Sequence, residues 1–90
     1  MSVIIVTRCR VDDFDTWRPK FDAFVSTQPA LLSYRVWQGA DDPNQIVLME
    51  TWESREAADA LLSHPQLEEL MAADGVDVSS VTMDIVDEAT

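Results

Sequence analysis

Basic residues are scarce in this 90-residue chain: six Lys and Arg stand against seventeen Asp and Glu, for a formal net charge of −11. A surface so acidic repels phosphate backbones and anionic headgroups, which argues against nucleic acid and membranes as partners. Cysteine occurs once, at Cys9. That rules out an intrachain disulfide and a cysteine-based structural zinc site, and it fits a cytoplasmic location. Glycine occurs only at Gly39 and Gly75, too few for a glycine-rich dinucleotide loop. His64 is the single histidine, with no second His or Cys at metal-ligand spacing, so no metal site is expected. Long apolar runs are missing too. The opening Val3-Ile4-Ile5-Val6 is broken by Thr7, Arg8 and Arg10, too short for an export signal or a bilayer span.

What is present is enough to fold. Hydrophobic residues make up 47% of the chain, which excludes disorder, and the length is that of one small domain, so residues 1–90 are read as a single unit. Residues 3 to 11 are rich in β-branched types and predict a strand. In the next segment Phe14, Trp17, Phe21, Phe24 and Val25 recur at helical spacing, with Asp12, Asp13 and Asp15 placed to cap the start. Pro19 has no amide hydrogen, so it lies near the first turn or the helix kinks there. Leu31 to Gly39 and Gln45 to Trp52 predict a hairpin around Ala40-Asp41-Asp42-Pro43-Asn44, a cluster of turn formers. Ser54 precedes a second helical run. Ser63 and Gln66 form a capping-box pattern around Pro65 that restarts it, and Gly75 is a left-handed stop. Val81 to Asp87 closes the chain as a strand.

The order β-α-β-β-α-β predicts a ferredoxin-like α+β fold, with a four-stranded antiparallel sheet carrying both helices on one face. The other face then needs a cover. Alternation puts Ile4 and Val6 opposite to Val3 and Ile5, and Trp37 opposite to Tyr34 and Val36, so large apolar groups lie on both sides. Several hundred Å² of such surface at roughly 25 cal/mol/Å² is worth on the order of 10 kcal/mol before association costs, which predicts a homodimer joined through the sheets.

These segments resemble the antibiotic-biosynthesis-monooxygenase-like family of dimeric α+β barrels. The resemblance lies in Trp17 with Phe21 and Asp22, the turn Asp42-Pro43-Asn44, the strand end Glu50-Thr51-Trp52-Glu53-Ser54, and the stretch from Leu67 to Gly75-Val76. It implies a pocket in each subunit, between sheet and helices, for a flat apolar or aromatic ligand. It also implies quinone-forming oxygenation of phenols without flavin, haem or metal: an ionised electron-rich phenol can itself reduce dioxygen while the protein desolvates and orients it. The haem-degrading branch of the superfamily uses an Asn, a Trp and a haem-ligating His where alignment on Trp52-Glu53-Ser54 puts Thr7, Leu61 and Met71; all three depart from that pattern.

The candidate site residues each have a plainer alternative. His64 is the natural proton acceptor near neutrality, or a solvent-exposed cap beside Pro65. Trp17, Phe21, Trp37 and Trp52 line a planar cavity, or pack the core and the dimer contact. Arg35, like Arg8 and Arg10, would steady a phenolate, or pair with a carboxylate such as Glu50 or Asp84. Tyr34 and Arg35 are adjacent, so one strand cannot aim both into one pocket. Cys9 reads as buried filler and Asn44 as a turn residue. Asp84, Asp87 and Glu88 read as a solvated tail. A non-catalytic ligand-binding or stress-related barrel stays open beside the oxygenase, as does a cofactor-free isomerase or cyclase using His64 or Glu50.

Overall fold

Strict alternation of buried residues builds the sheet. In the computed structural model, which describes residues 2–87, β1 (Val3–Val11) buries Val3, Ile5, Thr7, Cys9 and Val11 on one face. Its neighbour β3 (Gln45–Trp52) buries Ile46, Leu48, Glu50 and Trp52 on the same face. With β2 (Leu31–Gln38) and β4 (Val76–Val86) the strands run antiparallel in the order β2-β3-β1-β4. The inner pair is regular from Val3↔Trp52 to Arg10↔Gln45. Both outer strands slip in register, β2 between Leu31 and Ser33 and β4 opposite Arg8 and Arg10.

Helix α1 (Phe14–Val25) starts at Asp13, whose carboxylate accepts the Thr16 N–H at 3.0 Å. It buries Trp17, Phe21 and Val25 against Cys9, Val11, Ile46 and Leu48. Pro19 lies in the second turn, not the first. Both it and Asp15, the residue whose carbonyl loses its intrahelical donor, face solvent, so water can satisfy that carbonyl. Helix α2 (Arg55–Leu62), capped by the Ser54 hydroxyl on Ala57 N–H at 3.1 Å, contributes only Ala58 to the core, beside Val3, Ile5 and Trp52.

Two sequence expectations need correction. The second helical run is two helices, α2 and α3 (Leu67–Ala73), giving β-α-β-β-α-α-β. The Ser63 capping box does not form: the Ser63 hydroxyl donates back to the Asp59 carbonyl at 2.7 Å, and His64 Nδ1 accepts the Gln66 N–H at 3.1 Å. A side chain already bonded inside its own helix cannot cap the next. The closing strand also begins five residues earlier than its alternation suggested, at Val76. Gly75, at φ +89°, turns the chain straight from α3 into the sheet, a conformation an L side chain resists. Asp77, Ser79 and Ser80 hide the early strand because they sit in its irregular stretch. There the Ser79 hydroxyl donates to Asp77 Oδ1 at 2.6 Å and Ser80 Oγ accepts the Arg10 N–H at 2.8 Å.

The α+β ferredoxin-like architecture stands, with all three helices over one face. The opposite face presents half-buried Ile4 and Val6, exposed Arg8, and on the neighbouring strands Met49, Val86 and Trp37, the last 42% exposed. No described helix is long and apolar enough to cross a membrane. Glu88, read as part of an acidic tail, lies outside the described residues.

Candidate functional site

The cavity arises where the two helical covers fail to meet. Trp17, Phe21 and Phe24 wall it from α1, Leu61 from α2, and Leu67, Leu70 and Met71 from α3. The sheet supplies Thr7, Cys9, Leu48, Glu50 and Met83 as its floor, and Asp74 and Val76 complete the rim. Its volume is about 80 Å³, several times what one ordered water needs. The Trp17 and Phe21 rings stack with centroids 4.9 Å apart and planes 20° from parallel, a flat aromatic surface of the sort on which another ring stacks. Tyr34 braces it, edge-on to Phe21 at 5.5 Å, with its hydroxyl donating to Asp22 at 3.2 Å. The far wall is lightly anchored, since α3 buries no residue fully and α2 only Ala58.

Among the described residues Glu50 is the one carboxylate in the buried core, only 5% exposed. Burial pushes its carboxyl up to about 7, which the neighbouring Trp52 indole opposes in part. The buried Trp52 N–H lies near enough to Glu50 to act on its charge, but it does not meet the carboxyl in hydrogen-bond geometry and has no other partner. Cys9 is buried, and desolvation raises its thiol to about 11, so it is an uncharged filler and not a nucleophile.

Of the expected site residues, Trp17 and Phe21 meet at the cavity. Trp52 lies on the same sheet face but packs among Val3, Ile5 and Ala58, off the cavity wall. Arg35 and Trp37 stand on the opposite face, because Tyr34 and Val36 take the helix-facing parity against Glu50 and Leu48. His64 is exposed on the α2–α3 turn, along a shallow open groove with Leu62 and Glu68. The expected pairing of an arginine with Glu50 does not occur. Arg10 instead bonds Asp42, since Glu50 projects from the other face of the sheet. Asn44 does more than turn the hairpin: its side-chain carbonyl accepts the Phe14 N–H at 3.0 Å, tying the turn to the start of α1. Thr7, Leu61 and Met71, the positions at which haem-degrading members would carry their Asn, Trp and His, all line the cavity; none of them is an imidazole.

Residues 1–73 match the family model described as antibiotic biosynthesis monooxygenase. No curated protein matches. Among solved structures, a mutant of SnoaB, a cofactor-independent oxygenase from Streptomyces nogalater, is 18% identical with a TM-score of 0.73, covering 99% of this chain and 94% of that one. A conserved protein from Methanosarcina mazei Go1 is 14% identical with a TM-score of 0.71 over 99% and 94%. A dimeric ferredoxin-like protein of unknown function from Jannaschia sp. CCS1 is 12% identical with a TM-score of 0.66 over 98% and 100%. At these identities the likeness is one of fold.

Proposed function

This chain belongs to the antibiotic biosynthesis monooxygenase family, and from that premise we propose that it binds a flat aromatic or polyketide-like phenol in the helix-covered cavity and promotes its oxygenation without a resident cofactor. The observation that carries this reading is the pairing of a stacked aromatic wall, Trp17 on Phe21, with a single buried carboxyl, Glu50, in one largely apolar space. Such a space desolvates a ring and leaves one polar group to orient its hydroxyl. Ring entry is assigned to the α3 side, because that helix buries no residue fully. In an anthrone-type substrate the ring methylene would become a carbonyl, one oxygen atom of O2 entering the product and the other leaving as water. His64, exposed and off the cavity, has no part in this scheme.

The test is oxygen uptake by the purified protein with a varied set of anthrone and hydroxynaphthacenone-type phenols, with no flavin, haem or metal added. Uptake at least about a hundred times the buffer rate, matched by quinone formation, is expected for one class of them. Uptake at the buffer rate throughout would overturn oxygenation.

We further propose that two copies join through the open sheet faces in the cytoplasm. Ile4, Val6, Met49 and Trp37 form the apolar surface that supports this, and Arg35 and Trp37 find their role there instead of at a ligand. Light scattering at micromolar concentration is expected to give twice the mass of one chain, and Trp37→Asp to shift the population toward single chains by placing a charge in a desolvated contact. A wild-type protein of single-chain mass would end this reading.

A further inference from the structure

We propose that Glu50 is the proton acceptor of the cavity, and that the ligand is therefore a neutral ring compound whose hydroxyl donates its hydrogen to a Glu50 carboxylate oxygen. This rests on the binding role assigned above. In the step, the ligand O–H bond breaks, an O–H bond forms on Glu50, and the electron pair stays on the ligand oxygen as a phenolate or enolate; no electrons change hands.

The geometry points to Glu50 through what it lacks. A carboxylate without a partner is costly to bury, and none of the six basic residues offsets this one. Arg10, Arg18 and Arg55 are paired with Asp42, Asp22 and Asp59, Arg8 and Arg35 belong to the opposite sheet face, and Lys20 is exposed on α1. The groups facing Glu50 are nearly all uncharged. They are the Trp52 indole N–H on β3, which lies close to Glu50 without meeting it in hydrogen-bond geometry, and around the cavity Thr7 and the high-pKa thiol of Cys9 on β1, the rings of α1, Leu61 of α2, Leu67, Leu70 and Met71 of α3, and Met83 of β4. On β2 its cross-strand partner is Tyr34, whose hydroxyl is already bonded to Asp22. Asp74 at the end of α3 is the other carboxylate on the wall among the described residues. An anionic ligand would meet two carboxylates and no cation, whereas a hydroxyl donor supplies the hydrogen bond that Glu50 is missing. Burial also sets the carboxyl near 7, so it both takes and returns a proton at neutral pH.

Calorimetric titration with 1-naphthol and with naphthalene from about pH 5.5 to about pH 8.5 tests this. Affinity for 1-naphthol should rise about tenfold through a midpoint near neutrality, as a charge-assisted bond replaces a neutral one, while naphthalene shows no such rise. In Glu50→Gln the rise should vanish and naphthalene should still bind, which also shows that the variant is folded. A rise that survives Glu50→Gln, or one that Asp74→Asn abolishes instead, overturns the assignment and leaves the cavity reading standing. If wild-type protein binds neither probe, the cavity reading falls, and the assignment with it.

Discussion

Replacing Trp52 by alanine is expected to remove about 3–5 kcal/mol of folding stability. The indole is 2% exposed and packs with Val3, Ile5 and Ala58, where β1, β3 and α2 converge. Deleting it costs the transfer energy of a large aromatic group and leaves a void that Ala58, too small to move into it, cannot fill. Because small domains have only about 5–15 kcal/mol in total, the melting temperature should fall by more than about 10 °C. Trp52→Phe should cost far less. The N–H it deletes has no partner, so no hydrogen bond is lost with it. A thermal melt of Trp52→Ala that matches wild type would contradict the packing described for this corner.

The second large effect follows from Glu50. Its carboxyl rises from an ordinary 4.5 to about 7 on folding, so between those values the native chain holds a proton that the unfolded chain has lost. Stability contributed by the protonated form is thus fully present below about pH 4.5 and is lost as pH rises through about 7, by about 3 kcal/mol in all. Glu50→Gln, which stays neutral, should show no such loss and should be the more stable protein above neutrality. Urea denaturation of both proteins across this range isolates the effect in their difference, since the other carboxylates titrate alike in each. A difference that stays constant with pH, or that favours wild type as pH rises, would refute it.

The parity of the strands was legible in the sequence because each inner strand buries one face completely. Val3, Ile5, Cys9 and Val11 against Ile46, Leu48 and Trp52 is a pattern that no one-residue slip preserves. The Trp17–Phe21 wall was legible for the same reason on a helical period. In the sequence Glu50 stands out as a charge at the parity of Leu48 and Trp52, which reads either as the partner of an arginine or as the proton carrier of an isomerase or cyclase. Nothing in the spacing says that every arginine lies elsewhere; that depends on which face each strand turns toward the helices. Side-chain type points Arg35 and Trp37 toward a ligand, whereas parity with Tyr34 places them on the other sheet face. Leu61 and Met71 join the cavity through the break between α2 and α3, whose depth is set by the His64 turn and not by the apolar stripe. The early part of β4 escaped because four of its residues, 78–81, stand opposite Cys9 alone, which scrambles alternation.

That scrambling has its own effect on how molecules can associate. Strands at the margins of a sheet carry unpaired amides and carbonyls that invite another chain to continue the ladder. Here both outer strands break register once, β2 near Leu32 and β4 across residues 78–81, while the central β1–β3 pair runs without interruption. A kinked border makes a poor template for end-on polymerisation, which weighs against growth of this sheet into fibrils through its edges.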